Sequence, residues 1–280
     1  MTTGRCLCGS VSWELGGPLS WMSHCHCSRC RKTHGAPYAT YVGGPLESYR
    51  LNGEEHIVKW ESMPGHFRCF CGRCGSVVPG APFGSLMFVP AGNFDEDPGA
   101  RPEMHIFVGS KAPWFDITDA LPQFEAYPQG VDASVVPDRA PLDRPGTTRG
   151  SCLCGAVTYV VEGAPVRCWA CHCGRCRRAR SAACAWNLFT RAAGVRFTRG
   201  ADTVSEYRVP EAKYFKHAFC RVCGSSMPRI DQSRDLAVVP MGGLDDDPGM
   251  RPLAHIFVGS MAAWDTISDS LPQHAGSPPV

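Results

Sequence analysis

Fourteen of the chain's seventeen cysteines fall into short groups that occur in one order and then again in the same order. Cys6 and Cys8 are followed by Cys25, Cys27 and Cys30 and then by Cys71 and Cys74. Cys152 and Cys154, then Cys171, Cys173 and Cys176, then Cys220 and Cys223 repeat the pattern 146 to 149 residues later. Thiols spaced as C-x-C, C-x-C-x-x-C and C-x-x-C suit metal chelation, because neighbouring thiolates reach one ion at about 2.3 Å without bending the chain. The expected metal is zinc, about two ions per half and about four per chain.

The first and last pairs of each half complete one another. Cys6, Cys8, Cys71 and Cys74, and likewise Cys152, Cys154, Cys220 and Cys223, form a four-thiolate set that would pin the first strand to a late hairpin, with metal affinity appearing as folding free energy. The middle groups, Cys25, Cys27, Cys30 and Cys171, Cys173, Cys176, supply three thiolates each. Three protein ligands with an open fourth position mark a working metal rather than a strut. The alternative is a shell closed by His24, His26, Cys69 or Cys168. Strand alternation points His26 and His172 away from the metal. His24 is matched by Ala170, Cys69 by Ala218 and Cys168 by Met22, so none of these three is common to both halves.

A metal held by three thiolates is a weak Lewis acid, so it is poorly suited to lowering the pKa of a bound water. It suits a substrate thiol held as its thiolate, whose sulfur attacks or leaves an electrophilic carbon. The basic residues beside the clusters, Arg29, Arg31 and Lys32 in the first half and Arg175, Arg177 and Arg178 in the second, read either as partners for substrate carboxylates or as a solvated basic turn.

The elements that must carry these groups are short. Val11, Trp13 and Leu15 alternate with polar neighbours, as do Val157, Tyr159 and Val161, and glycine and proline punctuate nearly every segment. The fold class is therefore mainly β: two small domains of short antiparallel strands stapled by metal, with helical turns only after Cys30 and Cys176 and after Trp114 and Trp264. The repeat extends past the cysteines: GRCLCGSVSWEL (Gly4 to Leu15) matches GSCLCGAVTYVV (Gly150 to Val161), and DEDPGARPEMHIFVGS (Asp95 to Ser110) matches DDDPGMRPLAHIFVGS (Asp245 to Ser260). The expected organisation is a zinc domain over 1–125, a proline-rich linker over 126–148, a second zinc domain over 149–275 and a tail over 276–280.

The formal net charge of +2 counts every cysteine as neutral. Metal-bound thiolates would shift it to about −4, which argues against a nucleic-acid binder held by bulk electrostatics. The longest apolar runs fall far short of the roughly 20 residues needed to span a bilayer, so no membrane is expected. With no leader ahead of the first C-x-C, the expected setting is the cytoplasm, where thiols stay reduced.

Other residues have structural readings. His105 and His255 are expected as hydrogen-bonded strand histidines, Trp114 and Trp264 as core or domain-edge packing, and Asp95, Asp97, Asp245 and Asp247 as shapers of the turn before Pro-Gly. Cys69, Cys168 and Cys184 lie outside the repeat as free thiols.

The sequence resembles the glutathione-dependent formaldehyde-activating enzyme (GFA) family, which includes centromere protein V. The resemblance rests on C-x-C-G (Cys6 to Gly9), C-H-C-x-x-C-R with a following G-A (Cys25 to Arg31, Gly35, Ala36), F-C-x-x-C-G-S (Phe70 to Ser76), the D-P-G-x-R-P-x-x-H-I-F-V-x-S of Asp97 to Ser110 and the W-x-x-I-x-D-x-L-P of Trp114 to Pro122. It implies a zinc-ribbon-related β fold, a structural four-thiolate zinc and a catalytic three-cysteine zinc. It further implies a carbon–sulfur lyase or S-(hydroxymethyl)glutathione synthase activity, with a small thiol such as glutathione and a small electrophile such as formaldehyde as partners. The second repeat departs from the pattern at Ser181 for Gly35, Arg180 for His34 and Cys184 for Tyr38, which directs the expectation of activity to the first repeat. The contrasting reading is a non-catalytic tandem zinc module that binds a protein or nucleic acid through the basic residues after each cluster.

Overall fold

A computed structural model describes residues 1–131, 147–163 and 165–278. Pro137, Pro141 and Pro145 of the expected linker lie outside the described residues. The chain is mainly β, as the period-two patterning requires. Each repeat opens with a three-stranded antiparallel sheet: Thr2–Arg5, Ser12–Leu15 and Tyr49–Asn52 in the first, Thr148–Ser151, Thr158–Val161 and Val195–Arg199 in the second. The alternating residues fill the interior, with Val11, Trp13 and Leu15 and their counterparts Val157, Tyr159 and Val161 all buried.

A larger sheet carries the middle cysteines. In the first repeat its order is Gln123–Phe124, Met104–Ile106, Ser20–Cys25, Ala39–Pro45 and Leu86–Pro90; in the second it is Gln273–His274, His255–Ile256, Arg167–Cys171, Ala185–Thr190, Leu236–Pro240 and Arg229–Asp231. Two pairings in each larger sheet are parallel rather than antiparallel, Ser20–Cys25 with Met104–Ile106 and the latter with Gln123–Phe124, and equivalently in the second repeat. A separate hairpin, Ile57–Met63 with His66–Cys71 or Val204–Arg208 with Lys216–Cys220, delivers the last cysteine pair.

Two α-helices of seven residues are present among the described residues, α1 (Ser28–His34) and α2 (Gly174–Arg180). Each starts just before the third cysteine of the middle group rather than after it. The cause is local: Cys27 and Cys173 act as N-caps, their sulfurs accepting the N–H of Cys30 and Cys176. Each helix ends on a left-handed residue, Gly35 (φ 63°) or Ser181 (φ 52°). The helical turns expected after Trp114 and Trp264 do not form. Those segments run as turns and extended chain to Pro122 and Pro272, prolines that could not continue a helix, and each tryptophan is instead anchored by packing.

That packing crosses the repeats. Trp114 sits in the hydrophobic cluster of the second repeat, its ring 5.6 Å from that of Trp186, while Trp264 and Ala183 sit in the cluster of the first. Gly92 lies so close to α2's end that a Cβ there would be 2.2 Å from Ala182 N, and its counterpart Gly242 would place one 2.4 Å from Ala36 N after α1. Phe70 and Phe219 meet edge-on at 6.3 Å. Each repeat thus completes the core of the other, about a pseudo-twofold relation. No helix among the described residues is long and apolar enough to cross a membrane.

Candidate metal and thiol sites

Four groups of cysteine sulfurs converge, each with its atoms within 4.8 Å of one another: Cys6, Cys8, Cys71 and Cys74; Cys152, Cys154, Cys220 and Cys223; Cys25, Cys27 and Cys30; Cys171, Cys173 and Cys176. Sulfur–sulfur separations of 3.5 Å (Cys6 to Cys8), 3.7 Å (Cys8 to Cys71), 3.4 Å (Cys152 to Cys154) and 3.8 Å (Cys154 to Cys220) are near the roughly 3.8 Å edge of a tetrahedron with 2.3 Å metal–sulfur bonds. The residues therefore fit a zinc-sized ion. In each four-cysteine group the first pair leaves the opening strand and the second sits at a hairpin end, so an ion there would join two sheets. Val11 and Val157 donate N–H to Cys6 and Cys152 sulfurs, which favours thiolate.

The middle groups stay at three. Among the described residues none of His24, His26, Cys69 or Cys168 joins them. His24 bonds Thr40, His26 bonds His105 at 2.8 Å and Cys168 contacts Met241 Sδ. In the first repeat the Arg68 guanidinium lies 3.8 Å from Cys30 Sγ. Cys25, Cys27 and, against the pull of burial, Arg68 hold the Cys30 thiol well below its ordinary range. In the second repeat Cys171 and Cys176 lower Cys173 to about 2.

The surroundings of the two middle groups differ. Cys25, Cys27 and Cys30 are packed with Phe107, Ile106, Phe124 and Ala126, and Tyr127 meets Phe107 edge-on with ring centres 4.8 Å apart. At the matching positions the second repeat has His274, Gly276 and Ser277, and Cys176 is only half-buried where Cys30 is buried. A cavity of about 220 Å³ opens there on Cys171, Cys173 and Cys176, walled by Trp169, Phe189 and Phe215 and by the cations Arg175, Arg180, Lys216 and Arg229. Phe107 and Phe257, one beside each cluster, both adopt a left-handed backbone (φ 59° and 58°), a strained state for an aromatic residue that the repeat preserves.

The other basic residues have separate placements. Arg29 donates to Ser62 O. Arg31 lies on α1, next to the cluster, with its own contacts. Lys32 does not face the cluster: its buried ammonium donates to Ser151 O, Ser151 Oγ and Asp245 of the other repeat. Helix periodicity accounts for this, since Lys32 follows the metal-facing Cys30 by two residues and so points away from it. Of the second repeat's departures, Arg180 forms part of the cavity wall, Ser181 donates to Val77 O and Cys184 lines a space between the repeats.

His105 and His255 are buried strand histidines, held by Asp119 at 3.0 Å and Asp269 at 2.9 Å. Asp97 and Asp247 accept the N–H of Gly99 and Gly249, forming the expected turns. Sequence reasoning missed Arg68 and both Asp–His–His chains. The signal for the chains was their recurrence: His26, His105 and Asp119 reappear as His172, His255 and Asp269.

The sequence profile described as glutathione-dependent formaldehyde-activating enzyme matches residues 1–110 and 147–260. A solved structure of a Rhodobacter sphaeroides protein is similar at 29% identity, covering 37% of this chain and 97% of that one, with a TM-score of 0.29. No curated protein matches the chain.

Proposed function

From the chain's membership of the glutathione-dependent formaldehyde-activating enzyme family, shown by the match over both repeats, we propose that it joins a thiol to formaldehyde, and releases it again, at the middle cysteines of the second repeat. This is the chemistry of a zinc-dependent carbon–sulfur lyase or S-(hydroxymethyl)glutathione synthase. The observation that carries the choice of repeat is the cation-lined cavity opening on Cys171, Cys173 and Cys176.

Cys171, Cys173 and Cys176 would hold a zinc ion, whose positive charge would favour a substrate thiol as its thiolate. Arg175, Arg180, Lys216 and Arg229 fit a thiol that carries carboxylates, as glutathione does, because guanidinium and ammonium groups bind carboxylates through charge-assisted hydrogen bonds. Trp169, Phe189 and Phe215 exclude water and fix the orientation of the bound thiol. In the forward direction the sulfur lone pair forms a bond to the carbonyl carbon as the carbon–oxygen π bond breaks, and the oxygen takes up the proton the thiol gave up. Nothing is oxidised or reduced. Reduced cysteines are required, which suits a cytoplasmic setting.

The test is the rate of exchange between free and hydroxymethylated glutathione, read by nuclear magnetic resonance. Wild type should accelerate it, Cys173→Ser should lose the acceleration, and Cys27→Ser should keep most of it. Loss only in Cys27→Ser would move the reaction to the first repeat, and no acceleration by wild type would reject the proposal.

A further inference from the structure

Four cations line the cavity over Cys171, Cys173 and Cys176, and three of them are engaged elsewhere. Lys216 pairs with Glu206 at 2.8 Å, Arg229 donates to Tyr214 O, and Arg175, which is exposed, lies over the Phe215 ring. Arg180 differs. It is only 8% exposed, its Nη1 has no hydrogen-bond partner, and the one bond its guanidinium makes among the described residues is a long one, 3.4 Å from Nη2 to Asn187 Oδ1. Burial pushes its pKa down to about 10 against the pull of Cys176, so the group is charged at neutral pH. A buried guanidinium with no anion bonded to it is costly.

The first repeat shows how a guanidinium is satisfied by the cysteines alone. There Arg68 brings Nη1 and Nη2 to 4.0 and 3.8 Å from Cys30 Sγ. In the second repeat His217 stands in the place of Arg68 and Arg180 in the place of His34, so arginine and histidine have exchanged elements. Each histidine still donates Nδ1–H to a backbone carbonyl of the other repeat, His34 to Arg180 O and His217 to Cys74 O. The exchanged arginine makes no hydrogen bond to a cysteine sulfur among the described residues, and its donors remain available to a ligand. Tyr41, whose hydroxyl meets His34 at 2.9 Å, is matched by Asn187, a shorter side chain that lines the cavity.

Resting on the reading of Cys171, Cys173 and Cys176 as the thiol site, we propose that Arg180, with Asn187 beside it, is the residue that selects the substrate by charge, and that one carboxylate suffices: the cavity takes short mercaptocarboxylic acids as well as glutathione. A carboxylate offers a guanidinium two parallel charge-assisted hydrogen bonds. The volume of about 220 Å³ lies below the roughly 300 Å³ at which pockets for drug-sized ligands begin, which suits an acid of a few carbons. Arg180 follows Cys176 by four residues on α2, so the side chains that would hold sulfur and carboxylate share one helix face.

The experiment is calorimetric titration of the full chain, purified without chelator, at neutral pH with 3-mercaptopropionate, 3-mercapto-1-propanol and thiol-free propionate. Wild type should bind 3-mercaptopropionate at least roughly tenfold more tightly than 3-mercapto-1-propanol. Arg180→Gln should bring that ratio near one with bound zinc unchanged. Asn187→Asp should do the same, because it gives Arg180 a carboxylate from the chain itself; it removes no buried donor and so keeps the assignment testable where Arg180→Gln does not fold. Equal affinity of wild type for the two thiols, or an undiminished preference in folded Asn187→Asp, would overturn the proposal and leave the thiol site standing. Saturable propionate binding that Asn187→Asp abolishes, with neither thiol binding more tightly than propionate, would reject the thiol site and keep Arg180 as the carboxylate anchor. No saturable binding of any of the three by wild type would overturn both.

Discussion

The Lys32 ammonium of α1 lies 2.5 Å from the Asp245 carboxylate of the other repeat, and its pseudo-symmetric counterpart, Arg178 of α2, lies 2.6 Å from Asp95. The two contacts clasp the repeats from opposite sides, but they are unequal. Lys32 is 5% exposed and also bonded to Ser151, whereas Arg178 is 19% exposed.

Lys32→Met should therefore destabilise the chain by about 3 kcal/mol, since it leaves Asp245 and Ser151 without their buried donor. Arg178→Met should cost about 1 kcal/mol, the scale of a partly solvated pair. Denaturant unfolding with zinc present reads both. Equal losses would mean that burial does not govern this clasp.

Gly92→Ala and Gly242→Ala test the interlock where backbones touch. A Cβ at either position meets backbone atoms of Ala182 or Ala36 at 2.2 to 2.5 Å, so the repeats must separate slightly. Each variant should lose about 1 to 3 kcal/mol. Gly276→Ala, with nothing within 4 Å, should stay within about 0.5 kcal/mol of wild type. Thermal melts showing Gly92→Ala unchanged would contradict the close approach.

Acid should loosen the same interface. His217 is buried between Cys74 O and Ser226 Oγ, and burial pushes its pKa down to about 3. The unfolded imidazole titrates near 6.5, so between pH 6.5 and 3 the unfolded state binds the extra proton. The stability that neutral His217 contributes is full above about pH 6.5 and declines as pH falls through that window. Both proteins share any acid loss of zinc, so the difference in unfolding free energy between wild type and His217→Gln isolates the histidine. That difference should shrink from pH 7 to pH 5; a constant difference would contradict the assignment.

Removing metal should separate the two kinds of site. Cys152→Ser should unfold or strongly destabilise the chain, because an ion held by Cys152, Cys154, Cys220 and Cys223 joins the opening sheet to the late hairpin. Cys173→Ser should leave the melt nearly unchanged and lower bound zinc by about one ion per chain. Circular dichroism melts alongside elemental analysis check this, and a Cys152→Ser protein as stable as wild type would contradict it.

Much of the fold was legible because the cysteine spacing fixes where strands and hairpins must end, and because Val11, Trp13 and Leu15 declare a period of two. The four cysteine groups could be paired from spacing alone. What could not be read was long-range: nothing local tells Trp114 to enter the other repeat's core or Lys32 to turn toward Asp245. Arg68 was invisible for the same reason, since its approach to Cys30 depends on a hairpin folding across 38 residues. The helix expected after Trp114 failed because tertiary burial of that ring outweighs a weak local propensity. The openness of the second cluster was also hidden. Phe124 and Ala126, which pack on the first cluster, and Tyr127, which meets Phe107, are matched in the second repeat by His274, Gly276 and Ser277, a difference whose place in the site only the fold reveals.

The most direct test of the central claim is the visible absorption of the cobalt-substituted chain during titration with glutathione. If the cysteines of the second repeat hold a metal open to a substrate thiol, saturating glutathione should change the cobalt–thiolate bands in wild type and in Cys27→Ser, and leave those of Cys173→Ser unchanged. A wild-type spectrum that stays constant at saturating thiol would contradict the account.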